Sequence, residues 1–291
     1  MGLACLPIQL RSAPRELRIL TGPDPDAQRA MLQALKVRYA SLVADANPSA
    51  LEARHVNGPI VCLGPGALRK GLEAEIKTTL LSIFTSSQGY RRLTSAPAHE
   101  RPTVTAIFSD PAPQTQLQLI ATLFERKATV GVLLSEASAY LERPLRQAAS
   151  GLGIELVIER SDPAADVVRS LNRLAGAQVL LAVPDSTLYT PDTLRSVLES
   201  TYRRGLPVIG FSPATVNAGT LATTHSSIED IVADLTELVD AWSGQGASPL
   251  PEPRFPRYWR VSVNENVARS LGITITDKVI NLGNFPTGRQ G

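Results

Sequence analysis

The chain has 291 residues, of which 43 % are hydrophobic, so it can bury a large core in about two domains or lobes. Its 29 basic and 27 acidic residues leave a formal net charge of +2, which provides no basic field to favour nucleic acid or anionic lipid. The two cysteines and three histidines are never spaced as zinc ligands, and no apolar run reaches the roughly eighteen residues of a membrane helix.

Short apolar runs alternate with helical patterns along most of the chain, and this alternation predicts parallel sheets flanked by helices. Several runs are continuous, as expected for strands covered on both faces. The predicted strands are 17–20, 60–63, 80–84, 104–108, 130–134, 155–158, 179–183 and 206–211. The predicted helices are 26–43, 67–76, 114–124, 140–151, 164–174 and 191–203.

The alternation changes after Thr220. A long helix, a connector rich in glycine and proline, a strand and a short helix are predicted at 227–242, 243–256, 258–263 and 265–271. A closed barrel of eight units would need neither the connector nor the terminal strand and helix, so we favour two lobes with Rossmann-like parallel sheets.

The predicted division places 15–108 and 221–250 in lobe 1, and 109–220 and 256–285 in lobe 2. Residues 1–14 are expected to form a flexible N-terminus. The chain then crosses between the lobes more than once. In this architecture ligands bind in the crevice outside the carboxyl ends of the strands.

Polar residues follow many of the predicted strands. Each such loop alone is typical of a helix cap, but at one common edge they would form a rim rich in hydroxyl groups, suited to a small polar molecule. The rim lacks the paired carboxylates, base or metal that catalysis needs, which predicts binding without turnover. The candidate ligand-binding residues of these loops are Thr85, Ser86, Ser87, Ser109, Asp110, Ser135, Asp185, Ser186, Ser212, Thr215 and Thr224.

Two further kinds of residue are candidates for the same site. Gly64 and Pro65 lie between a predicted strand and a predicted helix, where N–H groups can meet an anion or the chain can simply turn. The run GPGALRKG matches neither common nucleotide-binding spacing. Aromatic side chains could form walls, although most buried aromatics are core residues. The aromatic candidates are Tyr140 and Tyr189, followed by Tyr90, Phe211 and His225.

The stretch Gly210-Phe211-Ser212-Pro213-Ala214 comes close to the G-x-S-x-G motif of serine hydrolases. Ala214 replaces the closing glycine, and Pro213 lacks the N–H that would contribute to an oxyanion hole. His225, the last histidine, precedes the acidic residues that should come before it. These features disfavour a serine hydrolase.

From about Thr103 onward the sequence resembles the substrate-binding proteins of bacterial ABC transporters, in the uncharacterised and tryptophan-binding-like family. The matching runs are TVTAIFSDPAPQTQLQLI, VGVLLSEAS, GLGIEL, VPDST, LPVIGFSPATVNAGTLA and VNENVARSLGITI. The last is the most specific, because a strand ending in Val263-Asn264 precedes the helix that contains Ala268 and Leu271-Gly272-Ile273.

This resemblance implies a type I periplasmic-binding-protein fold with three crossovers between the lobes. It also implies a monomer in the periplasm that binds a small molecule without a cofactor and delivers it to an inner-membrane permease. Some relatives hold the amino group of an amino acid with a carboxylate where Ser212 and Ala214 stand here, which argues against an amino-acid ligand. Asp185 matches an aspartate that faces the ligand in relatives.

Other interpretations stay open. Gly2-Leu3-Ala4-Cys5 resembles the end of a bacterial lipoprotein signal, so Cys5 is either a lipidated cysteine of a longer precursor or an incidental terminal residue. The same fold serves as the effector-binding core of transcription regulators, but no helix-turn-helix precedes the strand at Leu17. The chain could also act as an interaction or sensing partner in the cell envelope.

Overall fold

The computed structural model describes residues 16–54, 58–95, 102–125, 128–162, 167–174, 176–244 and 251–286. Cys5, and with it the hypothesis of a lipid anchor, lies outside the described residues. No described helix combines the length and the apolar character that crossing a bilayer requires.

The first lobe contains a parallel sheet of five strands in the order β2-β1-β3-β4-β5. The strands are β1 Glu16–Leu20, β2 Ser41–Asp45, β3 Ile60–Leu63, β4 Leu80–Thr85 and β5 Val104–Phe108. Its helices are α1 Pro25–Arg38, α2 Pro48–Glu52, α3 Gly64–Glu73 and α4 Ser87–Leu93. Every residue of β3 is buried, as its uninterrupted apolar sequence predicts for a central strand.

The second lobe contains a sheet of six strands in the order β11-β10-β9-β8-β6-β7, in which only the pair of β10 and β11 is antiparallel. The strands are β6 Thr129–Leu134, β7 Glu155–Arg160, β8 Val179–Leu181, β9 Val208–Ile209, β10 Ala222–His225 and β11 Arg260–Val263. The helices after β5 are α5 Pro113–Phe124, α6 Glu142–Leu152, α7 Val167–Leu171, α8 Pro191–Arg203, α9 Pro213–Ala218, α10 Ile228–Gly244, α11 Glu265–Ser270 and α12 Asp277–Ile280. A short 3-10 helix, Glu136–Leu141, precedes α6.

The chain crosses between the lobes three times. Residues 109–112 lead from β5 to α5, which packs against α6 and β10 of the second lobe. Residues 226–227 lead from β10 back to α10, which packs against α1 of the first lobe. The last crossing begins beside β5, where Arg254 bridges to Ile107, and ends in β11. The predicted fold class, two Rossmann-like lobes with three crossovers, is confirmed.

Ion pairs fix the last crossing to helix α10. Arg254 donates to both carboxylate oxygens of buried Asp234 at 2.6 and 2.8 Å, and Arg260 binds buried Asp230 in the same bidentate way. Asp230 and Asp234 are one helical turn apart, so the two acids present a single face of α10 to the crossing segment. Two arginine–aspartate ion pairs therefore hold the last crossing segment against α10. We call this region, with Asp230, Asp234, Arg254 and Arg260, the hinge.

Two differences from the sequence predictions affect the topology of the sheets. The predicted helix 26–43 ends at Arg38, and Ser41–Asp45 forms the edge strand β2 instead. Strand β10 lies in the range 221–250 predicted for lobe 1, yet it pairs with β9 and β11 in the second sheet. Helix α10, in the same range, packs on the first lobe. The crossing thus falls between β10 and α10.

Candidate functional site

A cavity of about 300 Å³ lies between the lobes at the carboxyl ends of the parallel strands. The first lobe contributes the loops after β4 and β5, and the second contributes the loops after β8 and β9. This is the position at which doubly wound sheets bind ligands. The lining residues are Ser86, Gln88, Ser109, Asp110, Pro184, Asp185, Ser186, Tyr189, Phe211 and Ser212.

Several residues predicted from the sequence meet at this cavity: Ser86, Ser109, Asp110, Asp185, Ser186, Tyr189 and Ser212. Phe211, one of the aromatic candidates, also lines it. Sequence reasoning missed Gln88 and Pro184. Gln88 ends the polar run Thr85-Ser86-Ser87-Gln88 after β4, and this position at the end of a strand could have identified it as a candidate.

Asp185 is surrounded by hydrogen-bond donors of its own lobe. Its Oδ2 atom accepts hydrogen bonds from the hydroxyls of Ser135 and Ser138 at 2.5 and 2.6 Å. Its Oδ1 atom accepts from the hydroxyl and N–H of Thr187 and from the N–H of Leu188. Burial opposes ionisation, but these bonds outweigh it and lower the pKa of Asp185 to about 2. The carboxylate therefore organises the loop after β8 and keeps its charge at neutral pH.

Asp110 has fewer partners than Asp185. Its Oδ1 atom accepts from the Ser87 N–H at 2.6 Å, and its Oδ2 atom accepts from the Ser87 hydroxyl. Burial raises the pKa of Asp110 above its ordinary value, against the effect of these two bonds. Each oxygen accepts one bond from Ser87 and the Asp110 N–H also binds its own carboxylate, so the carboxylate keeps capacity for another donor.

Direct contacts join the lobes beside the cavity. The Ser87 hydroxyl lies 2.7 Å from the Tyr140 hydroxyl, so Tyr140 is the donor when Ser87 donates to Asp110. Burial raises the pKa of Tyr140 to about 12, which keeps this proton in place. The guanidinium of Arg91 lies 4.5 Å from the centre of the Tyr140 ring. The Gln88 Oε1 atom accepts from the N–H and hydroxyl of Ser186 at 3.1 and 2.9 Å. These contacts bridge the two lobes beside the cavity.

Two buried polar atoms of the lining lack a partner among the described residues: the Nε2 atom of Gln88 and the hydroxyl of Tyr189. A buried polar atom left without a hydrogen bond costs about 1–3 kcal/mol. Burial and the charge of Asp185 both raise the pKa of Tyr189, so its hydroxyl keeps the proton. Both atoms are thus buried donors on residues that line the cavity.

The stretch of small residues after β9 forms a tight turn. Ser212 caps α9, its hydroxyl accepting from the Thr215 N–H at 3.3 Å, while the Thr215 hydroxyl accepts from the N–H groups of Phe211 and Ser212. A Cβ atom on Gly210 would lie 2.1 Å from the Thr215 hydroxyl, so only glycine fits there. Ser212 reaches the cavity as a helix cap, and Pro213 is the first residue of α9.

The other candidate residues do not line the cavity. Gly64 and Pro65 open helix α3, and Gly66 packs against Pro23 of the loop after β1. Thr224 binds the buried Gln116 side chain, and Thr85 accepts a hydrogen bond from Ser82. Ser87, Ser135 and Tyr140 act through Asp110 and Asp185, as described above, and Thr215 acts through the α9 turn. Ligand contact by these residues remains a prediction.

Comparisons with known proteins identify the fold. No protein-family model matches the sequence, and a search of curated proteins returns no match. Among solved structures, a ligand-free, open substrate-binding protein with adhesive properties from Clostridium difficile is 16 % identical, with a TM-score of 0.66, over 90 % of this chain and 96 % of that one.

Two further solved structures are similar over nearly their whole length. An ABC domain from Streptococcus pneumonia in complex with L-Trp is 17 % identical, with a TM-score of 0.58, over 92 % of this chain and 97 % of that one. A conserved domain protein from Vibrio cholerae O1 biovar El Tor is 20 % identical, with a TM-score of 0.57 and the same coverage. The chain therefore has the type I periplasmic-binding-protein fold found in ABC transporter solute-binding proteins.

Proposed function

We propose that this protein is the solute-binding component of a bacterial ABC import system and that it holds a small polar molecule between its lobes without turnover. The observation that carries the proposal is the cavity of about 300 Å³, whose lining residues carry two buried donors without a partner among the described residues. Such donors are explained if a ligand between the lobes accepts from them.

The electrostatics of the cavity agree with binding rather than catalysis. Asp185 is held as a carboxylate by hydroxyl and N–H donors, and Asp110 is bound by Ser87, so among the described residues neither accepts a hydrogen bond from a histidine that could act as a base. The Ser212 hydroxyl is engaged in the cap of α9. The lining thus offers hydrogen bonds and aromatic contact, which suit recognition of a solute.

The proposed location is the periplasm, with Cys5 as a possible site of lipid attachment and an inner-membrane ABC permease as partner. The protein would act as a monomer. Affinity purification from membranes should recover a permease if transport is retained. Recovery of other envelope proteins instead, with no permease, would favour the alternative role of an interaction or sensing partner.

The binding role is tested by calorimetric titration and thermal shift against amino acids, amides, nucleobases, nucleosides, sugars and ferric chelates. A ligand that binds only the folded state must raise the melting temperature in a dose-dependent way. Ser186→Trp should fill the mouth of the cavity and abolish the shift. Ser196→Trp, at an exposed position of α8, should leave the ligand-induced shift unchanged. If no compound shifts the wild type, or if Ser186→Trp responds like the wild type, the interlobe cavity is not the binding site.

A further inference from the structure

The charge of the cavity wall is one-sided. Among the lining residues are two acids, Asp110 and Asp185, and no lysine, arginine or histidine. Arg91 is near the cleft, but its guanidinium stacks on the Tyr140 ring and its side chain is exposed. A carboxylate or phosphate in the cavity would meet two acids without a cation to balance it. The wall therefore disfavours an anionic group on the ligand.

The unpartnered atom of Gln88 is fixed as a donor. Its side-chain oxygen accepts from the Ser186 N–H, and a backbone N–H can only donate, so the amide cannot be turned round. The Nε2 atom is then the one left without a partner in the part of the chain that the structure describes. Together with the Tyr189 hydroxyl, it calls for an oxygen or nitrogen acceptor on the ligand.

The two carboxylates offer different opportunities to the ligand. Both oxygens of Asp185 already accept several hydrogen bonds within the second lobe. Asp110 accepts fewer hydrogen bonds among the described residues, from Ser87 and from its own N–H, and it lies in the cavity wall with capacity for a further donor. A donor group of the ligand would therefore bind Asp110 rather than Asp185.

An aromatic surface accompanies these polar groups. The rings of Tyr189 and Phe211 lie 6.0 Å apart at an angle of 49°, and both residues line the cavity. Such a surface favours an apolar or planar part of a ligand beside its polar groups.

From these observations, and resting on the proposed binding role, we propose that the cavity selects ligands without an anionic group. The ligand presents an uncharged acceptor, such as an amide carbonyl or a sugar oxygen, to Gln88 and Tyr189. It presents an N–H or O–H donor to Asp110. Free amino acids, whose carboxylate would find no cation in the wall, are poor ligands on this proposal.

Matched pairs that differ in one acidic group test the proposal. The probes are tryptophanamide and tryptophan, nicotinamide and nicotinate, uracil and orotate, and D-glucose and D-glucuronate, titrated calorimetrically at pH 7.4. In every pair that binds, we expect the member without the carboxylate to bind at least about tenfold more tightly. An acidic member that binds as tightly or more tightly than its neutral partner overturns the proposal and leaves the binding function intact.

A variant of Gln88 tests the same selectivity from the side of the protein. Gln88→Glu keeps the oxygen that accepts from Ser186 but removes the Nε2 donor and adds negative charge. Its affinity for the neutral probe should fall about tenfold or more. Gln33→Glu, at an exposed position of α1, should leave this affinity unchanged. Unaltered affinity in folded Gln88→Glu overturns the proposal. Failure of all probes, together with every compound of the wider panel, would instead overturn the binding function itself.

Discussion

The chain buries carboxylates in two regions and treats them differently. At the hinge, Asp230 and Asp234 each face an arginine, Arg260 and Arg254, in bidentate geometry. In the cavity, Asp110 and Asp185 accept only from hydroxyl and backbone N–H groups among the described residues.

This difference separates a structural region from a binding region. A bidentate arginine satisfies both the charge and the hydrogen bonds of a carboxylate, so the hinge pairs leave little for a ligand to bind. Hydroxyl groups stabilise the charge of Asp185 without neutralising it, and the donors of Gln88 and Tyr189 have no partner among the described residues. The predictions below act first on the hinge and then on the cavity.

The largest effect is expected at the hinge, from Arg254→Met. This change leaves Asp234, which is fully buried, without its arginine. Removing one partner of a buried pair costs about 3–5 kcal/mol, because the remaining charge is uncompensated. Urea denaturation should show this loss in the free energy of unfolding.

Two further variants control this measurement. Arg29→Met breaks a pair with Asp26 in which both side chains are 79 % exposed, and it should cost less than about 1 kcal/mol. The double variant Arg254→Met/Asp234→Leu should regain part of the stability lost in Arg254→Met. Equal losses in the single and double variants would mean that the arginine stabilises the crossing by packing alone.

A smaller effect is expected at Asp185. Its pKa of about 2 lies below the ordinary value of 3.8, so its ionised form stabilises the fold above about pH 4. That contribution, about 2 kcal/mol, is lost as the pH falls from 4 towards 2. Asp185→Asn should lower the stability at pH 7 and weaken the pH dependence in this range, as measured by denaturation at a series of pH values.

The pKa of Asp110 is shifted in the opposite direction to that of Asp185, so a variant of Asp110 provides a second test. Its raised pKa means that the folded state binds a proton more readily than the unfolded state, so Asp110 favours folding as the pH falls. Asp110→Asn should therefore steepen the acid loss of stability. Parallel curves for Asp185→Asn and the wild type would contradict the role assigned to Asp185.

Much of the fold follows from patterns that are local in the sequence. Continuous apolar runs identify the central strands, because those strands are covered on both faces. Edge elements were harder: Leu42 and Val43 continue the pattern of α1, yet lie in the edge strand β2. The strand β10 has the sequence ATTH, and three of its four residues are buried through the pairing with β9 and β11. Such tertiary pairing overrides local propensity.

The sequence predicts where the candidate site lies but not which residues contact one another there. Strand-end loops located Asp110 and Asp185, since parallel strands end at one edge, and Tyr189 was predicted as an aromatic wall residue. The role of Gln88 depends on Ser186, which is 98 residues away on the other lobe. No local pattern encodes that contact, and none reveals that hydroxyls of the second lobe surround Asp185.

The smallest effect on stability, and the most informative one, is expected from Tyr189→Phe. The change removes a buried hydroxyl that has no partner among the described residues, so the unliganded protein should be as stable as the wild type or more stable. Affinity for a neutral probe should nevertheless fall about tenfold, because the ligand loses a donor.

Tyr140→Phe is the matched control: its hydroxyl contacts Ser87 across the lobes, so stability should fall by about 1 kcal/mol. Calorimetry on the two variants separates them, and a loss of stability without loss of affinity in Tyr189→Phe would remove this residue from the binding wall.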